Sequence, residues 1–425
     1  MKLADPSSSQ RAPHPFHIMA KPTGPICNLD CGYCFYLEKE HSLPGRERRW
    51  LMDDATLEQF VRSYIEAQPT DMVTFAWQGG EPTLCGLPFF QKAVAFQKKY
   101  ANGRTIENSF QTNGTTLNED WAKFFADNKF LIGVSIDGPA DLHDKYRLDK
   151  RQRPTHAKVV EGIEALQRAG AEYNTLTCVH KGNQSKPEKV YRFLKGLGSK
   201  YLQFIPIVER KADTCASKRG LTNSLPPQAE EADPDSPVMP WSVGSREFGD
   251  FLLGVFRDWV RKDVGKIYVQ AFDMALGKWV GAPGGICVHE PTCGKAMALE
   301  SDGGVYACDH YVYPEFHIGN LNEQPLSELA ASPRMKAFGD AKRDSLPRYC
   351  RECPVRFACN GGCPKHRFID TPDGESGLNY LCAGYRKFFT GIAEPMRIMT
   401  ELYRQQRPPA EIMQLVAAKR VPGFK

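Results

Sequence analysis

Nothing in these 425 residues approaches a membrane-spanning helix, which needs roughly 18 consecutive apolar residues. Met1 to Phe16 is polar and proline-rich and lacks the apolar core of a secretory signal. Strong charge of either sign is missing too: the formal net charge is +5, small for the length. These absences argue against a membrane protein and against a dedicated nucleic-acid footprint, and they place the protein in the cytoplasm. The basic runs at 46–49 and 149–153 then read as solvated faces. In a reducing compartment, fourteen cysteines point to metal or catalysis rather than disulfides.

What remains is the composition of an ordinary globular chain, 41% hydrophobic and 25% charged, long enough for more than one cored unit. Short apolar or β-branched runs occur at 16–20, 72–77, 105–111, 131–136, 173–179 and 202–208. Between them lie segments with helical spacing, such as Leu57, Phe60, Val61 and Tyr64. Six strand-then-helix units argue for a parallel α/β fold, a partial (β/α)6 barrel rather than the complete eight. Such folds build sites at the C-terminal ends of their strands, where this chain keeps its unusual residues: a cysteine loop, Gly79-Gly80-Glu81-Pro82, Gln111-Thr112-Asn113-Gly114, Ser135 to Pro139, and Ile205 to Val208.

The cysteine loop follows the first strand, with Cys27, Cys31 and Cys34 at C-x3-C-x2-C spacing. Three thiols are too few for a closed zinc site or a purely electron-carrying four-iron cluster, each of which takes four. Such a loop leaves one iron free for a reacting ligand, although Cys31 and Cys34 alone also fit a thiol redox pair or half a zinc knuckle.

A second constellation holds eight cysteines: Cys287, Cys293, Cys308, Cys350, Cys353, Cys359, Cys363 and Cys382. Eight makes two sets of four, for two clusters or two zinc ribbons, and spacing alone permits many pairings. Cys85 and Cys178 read as core or turn residues, and Cys215 as incidental. Residues 211–245, rich in proline and acid, read as a long surface loop or lid.

The first cysteine loop, with Tyr33 before its last cysteine and Phe35-Tyr36 behind it, resembles the signature of radical S-adenosylmethionine enzymes. The later spacings, Cys293-x9-Gly303-x4-Cys308 and C-x2-C-x5-C-x3-C from Cys350, resemble their SPASM extension. With Cys308-Asp309-His310, the whole arrangement resembles the anaerobic sulfatase-maturating enzymes. That resemblance implies S-adenosylmethionine and three 4Fe-4S clusters. One is held by Cys27, Cys31 and Cys34, a second by Cys287, Cys293, Cys308 and Cys363, and a third by Cys350, Cys353, Cys359 and Cys382. It implies S-adenosylmethionine contacts at Tyr33, Gly80, Ser135, Arg147 and Val208, a proton acceptor at Asp309, and Tyr36 near a peptide site. The implied reaction oxidises a cysteine or serine of a sulfatase polypeptide to Cα-formylglycine, with flavodoxin or ferredoxin as reductant. The expected organisation is a flexible tail (1–14), a radical core (15–245), a helical linker (246–286), a SPASM domain (287–385) and a C-terminal helix (386–425). The competing readings are another SPASM peptide-modifying enzyme, forming thioethers or epimerising, and a zinc-ribbon binding module.

Overall fold

Six short strands carry the alternation of buried and open positions that a covered parallel sheet requires, as in Met72–Trp77, where Val73, Phe75 and Trp77 are buried. The computed structural model of the chain describes residues 11–41, 43, 50–233 and 235–423. In it β1 (His17–Lys21), β2 (Met72–Trp77), β3 (Thr105–Thr112), β4 (Phe130–Ser135), β5 (Tyr173–Val179) and β6 (Tyr201–Pro206) pair in sequence order, all parallel. The connections carry α1 (Asp54–Ala67), α2 (Leu87–Tyr100), α3 (Glu119–Asp127), α4 (Ala140–His143), α5 (His156–Ala169) and α6 (Pro187–Gly196). Caps fix where several begin: Asp53 accepts from Thr56 N at 2.7 Å, and Asn118 from Trp121 N at 3.0 Å. Between helices and sheet runs an aromatic spine, with Phe60, Phe75, Trp77, Phe90, Phe110 and Phe125 in successive ring contact. The fold is a partial barrel of parallel βα units, as expected.

The barrel sheet does not stop at β1. Its open edge is taken by β8 (Ala296–Glu300), parallel over the full length of β1, followed by antiparallel β9 (Gly304–Tyr306) and β10 (His317–Asn320). The far edge carries the two-residue β7 (Tyr268–Val269). The sheet therefore has ten strands, β10-β9-β8-β1-β2-β3-β4-β5-β6-β7. An unpaired β1 edge would leave a row of backbone donors and acceptors without partners, so the cysteine-rich region is grafted onto the barrel's first strand.

Three expectations about the connecting segments change. Residues 211–245 contain the short α7 (Thr214–Lys218) and a small core of Ala216, Leu221, Leu225 and Ala229 against Tyr313, and are no loose lid. The segment expected as a helical linker is helical, forming α8 (Ser245–Lys262) and α9 (Gln270–Val280), but their apolar faces join the main core instead of only bridging to the cysteine-rich region. The helix expected over 386–425 instead spans Cys382–Arg404, and the Pro408-Pro409 pair keeps it from continuing into the short helix Ile412–Ala417. Most of the tail expected over 1–14, and the basic run at 46–49, lie outside the described residues. Ala12, within that tail, is buried and donates to Ala67 O.

Candidate active site

The end of β1 delivers the chain into the first cysteine loop, which is stitched to the segment after α4: Asp30 N donates to Leu148 O, and Gly32 N to Tyr146 O. The loop brings the thiols of Cys27, Cys31 and Cys34 into mutual electrostatic reach. Burial pushes Cys27 up to about 12 and raises Cys31 and Cys34 as well. Polar hydrogens nevertheless aim at these sulfurs. Leu29 N lies 3.3 Å and Asn113 Nδ2 3.7 Å from Cys27 Sγ, and the Tyr36 and Leu37 amides serve Cys34. Buried thiols supplied with donors suit a cationic metal group that holds them as thiolates.

Gly80 lies flush against this loop. A Cβ there would stand 2.0 Å from Ile26 O, so only glycine permits the approach. Beside it the fully buried Glu81, which sequence reasoning left unassigned, accepts from Thr83 N, Thr112 Oγ1 and Asn113 N. That carboxylate knots the end of β2 to the end of β3 and so positions Asn113 against Cys27.

Across the loop, Arg147 and Tyr33 meet on Asp137, a second carboxylate without an assigned role. Arg147 Nε donates to Asp137 Oδ2 at 3.0 Å and Nη2 to Oδ1 at 3.2 Å, while the Tyr33 hydroxyl also donates to Oδ2. Burial alone would raise Asp137, but the Arg147 guanidinium and His180 outweigh it and hold the carboxyl far below its usual range. The Tyr33 ring is walled by Tyr146, His180 and Trp241, the last from the far end of the 211–245 segment. Cys178 reaches this corner too, 3.4 Å from Arg147 Nη2. Ser135 accepts from Gln111 at the end of β4, and Val208 is buried just past β6.

The later cysteines fall into two groups. Cys363 and Cys308 sit within electrostatic reach of Cys287, and Cys363 also of Cys293. Cys350, Cys353, Cys359 and Cys382 together line a separate cavity with Tyr349, Val355 and Tyr385. Among the described residues, no three His, Cys, Asp or Glu side chains converge on a single-ion site.

Between the first loop and the nearer group lies Asp309, directly after Cys308 in a short 3-10 turn. Its Oδ1 pairs with Lys21 Nζ at 2.5 Å. Burial raises this carboxyl, but Lys21 and His310 prevail and keep it below the ordinary carboxylate value. The Lys21 ammonium also lies 3.8 Å from the centre of the Tyr36 ring, whose hydroxyl donates to Glu300. Lys21, Asp309, Tyr36 and Glu300 thus form one cluster where β1 and β8 end side by side, with Asp309 at its partly open edge and the other three buried.

Comparison with known proteins agrees with this layout. Residues 22–194 match the Radical SAM superfamily, and residues 287–354 match the iron-sulfur cluster-binding domain SPASM. The chain is 44% identical over 399 residues to the serine-type anaerobic sulfatase-maturating enzyme of Bacteroides thetaiotaomicron, covering 94% of each. It belongs to the anaerobic sulfatase-maturating enzymes. It is 35% identical to the cysteine-type enzyme of Clostridium novyi, over 88% of this chain and 94% of that one. The solved structure of anSMEcpe with bound AdoMet and a Cp18Cys peptide superimposes with a TM-score of 0.77 at 30% identity. It covers 92% of this chain and 99% of that one. The protein is therefore a radical S-adenosylmethionine enzyme with iron–sulfur chemistry, and the zinc-ribbon reading falls. No helix among the described residues is long and apolar enough to cross a membrane.

Proposed function

We propose that this maturase oxidises a serine or cysteine of a sulfatase polypeptide to Cα-formylglycine, with Asp309 as the base. The observation that carries the reading is the position of Asp309, a partly buried carboxylate next to Cys308 and paired with the buried Lys21. Cys27, Cys31 and Cys34 would hold one 4Fe-4S cluster. Cys287, Cys293, Cys308 and Cys363 would hold a second, and Cys350, Cys353, Cys359 and Cys382 a third. Gly80, Ser135, Arg147, Tyr33 and Val208 would surround S-adenosylmethionine. When bound, these groups supply a 5'-deoxyadenosyl radical that takes a hydrogen from the target Cβ, and a sink for one electron.

The chain's own contribution is to hold the target and move its proton. Once the carbon radical forms, the neighbouring O–H or S–H acidity rises sharply, so even a carboxylate of depressed pKa is a competent acceptor if it is well placed. Lys21 keeps Asp309 ionised in a buried setting where a lone carboxylate would otherwise take up a proton. Tyr36, fixed by Glu300, walls the same space. The proton would leave to Asp309, and the set that contains Cys308 would hold the group that takes up the electron. The polypeptide substrate, a flavodoxin or ferredoxin reductant and a cytoplasmic setting belong to the same reading.

The test incubates the anaerobically reconstituted enzyme with S-adenosylmethionine, a chemical reductant and sulfatase-derived peptides carrying serine or cysteine. Formation of an aldehyde product by mass spectrometry supports the reading. Cleavage of S-adenosylmethionine with neither peptide modified overturns it.

A further inference from the structure

The two later cysteine groups are joined by one short stretch of chain. Cys359 and Cys363 fall in different groups, so the backbone crosses between them over Asn360-Gly361-Gly362. These three residues are all left-handed, with φ of 48°, 73° and 64°. Three such residues in a row are costly for ordinary side chains, and at Gly361 a Cβ would meet Leu346 at 2.4 Å.

The conformation turns three successive carbonyls towards one side chain. Arg367 Nη2 donates to Asn360 O at 3.1 Å and Gly362 O at 3.4 Å, and its Nε to Gly361 O at 3.1 Å. Its Nη1 donates to Lys342 O at 2.6 Å. Lys342 in turn sends its ammonium to Cys287 O at 2.7 Å and Val288 O at 2.9 Å. Arg367 is 5% exposed and Lys342 1%.

Two buried cations within reach of each other thus donate only to carbonyls and one serine hydroxyl. The groups around them that can carry negative charge are chiefly thiols: Cys287, Cys293 and Cys363 about Lys342, and Cys350, Cys363 and Cys293, with the Tyr311 hydroxyl, about Arg367. Removing an unpaired ion from water costs several kcal/mol. The two charges are compensated where the cysteine sets carry negative charge, as thiolate-held clusters do. Both cations bear on Cys293 and Cys363 of the nearer set, and Arg367 also reaches Cys350 of the other. The arginines lining that other set's cavity, Arg356 and Arg386, are both open to solvent and so screened by water.

We propose that Lys342 and Arg367 form a cationic wedge that raises the reduction potential of the nearer auxiliary cluster above that of the farther one, making it the acceptor of the substrate electron. This rests on the reading of the two cysteine sets as cluster ligands. Net charge and burial around a cluster are among the terms that set its potential, and added positive charge favours the reduced form. The step served is oxidation of the substrate carbon radical. Its O–H or S–H proton passes to Asp309, one electron passes to the nearer set, and the carbon–oxygen or carbon–sulfur double bond forms.

The experiment is an EPR-monitored redox titration of the anaerobically reconstituted holoenzyme and its variants. Lys342→Met removes the charge and keeps the stem. It should lower the reduced-to-oxidised ratio of the nearer cluster about tenfold at fixed potential, a shift of about 59 mV for one electron. Lys342→Arg keeps the charge and should keep the wild-type potential. If Lys342→Met fails to retain iron, Lys342→Gln, which still donates to the Cys287 carbonyl, carries the same expectation. Wild-type potentials in the neutral variants overturn the wedge, as does an equal fall in Lys342→Arg. A wild-type protein with no iron beyond the first set would instead overturn the cluster reading itself.

Discussion

The buried Lys21 and the partly open Asp309 form an ion pair, 2.5 Å between Nζ and Oδ1, although 288 positions separate them in the chain. Lys21 ends the first barrel strand, and Asp309 lies just past β9, the antiparallel strand after β8. The pairing of β1 with β8 is what brings them together, so the base is placed by the graft between barrel and cysteine-rich region.

Asp309→Asn keeps the shape of the side chain and removes the proton acceptor. General-base removal typically costs about 100-fold to 10,000-fold, so peptide oxidation should fall by that order while S-adenosylmethionine cleavage continues. Both rates are measured in one anaerobic assay by chromatography of 5'-deoxyadenosine and mass spectrometry of the peptide. Formylglycine at the wild-type rate would remove Asp309 from the mechanism. Lys21→Met should behave differently. It strands a partly buried carboxylate, at a cost below the roughly 3–5 kcal/mol of a fully buried broken pair, and its signature is a lower melting temperature as well as lost turnover.

Glu300 gives a pH test. Burial pushes this carboxyl up to about 7 despite Lys21 and the Tyr36 hydroxyl. Its folded value lies above its unfolded one, so its contribution to stability is present at low pH and is lost as pH rises through about 7. Charging it in the folded state costs on the order of 3 kcal/mol at most. Glu300→Gln removes that cost. Its melting temperature relative to wild type should be higher at pH about 8 than at pH about 5. An identical difference at both pH values would mean that Glu300 does not titrate in this range.

The strands and cysteines of this site are legible in the sequence because each leaves a local mark. Alternating burial marks Met72–Trp77, and fixed spacing marks Cys350, Cys353 and Cys359. Glu81, Asp137, Lys21 and Glu300 leave no period and no spacing. Each is a single polar residue at or just past the end of a strand, and its role comes from a partner far away in the chain: Asn113 for Glu81, Tyr33 for Asp137, Asp309 for Lys21 and Tyr36 for Glu300. A carboxylate or lysine that closes a strand, or follows it within four residues, was the available signal. The parallel pairing of β8 with β1 was hidden for the same reason, since nothing in Ala296–Glu300 names its neighbour.

One side chain ties the 211–245 segment to the stretch after the radical loop. Glu38, just after the radical loop, accepts from Thr222 N and Oγ1 and from Asn223 N and Nδ2. Glu38→Ala leaves the two buried Asn223 donors unanswered, at about 1–3 kcal/mol each, while water can serve those of the exposed Thr222. Limited proteolysis should then cut within residues 212–233 faster than in wild type, while barrel helices such as α5 stay protected. Equal cleavage rates would show that the Gln228 bonds to Tyr311 and Pro364 suffice to hold the segment.

The first cysteine set is separable from the other two. Cys27, Cys31 and Cys34 sit at the strand ends of the barrel, whereas the later eight cysteines lie in a region whose folding is supported by Arg367, Lys342 and the Cys382–Arg404 helix. Replacing Cys27, Cys31 and Cys34 with alanine should therefore lower iron by about a third, on the rule of one four-iron cluster per thiolate set, and abolish S-adenosylmethionine cleavage. Burial raises all three thiols, Cys27 to about 12, so assembling a cluster on them releases protons. Iron incorporation into this set should accordingly rise as reconstitution pH is raised from about 7 to about 9, because ligand thiols must deprotonate to bind. The comparison is iron and sulfide per chain in wild type and the triple variant, reconstituted side by side across that range. Loss of all iron in the variant would show that the three sites assemble as one unit, and retained S-adenosylmethionine cleavage would show that the reactive iron lies elsewhere.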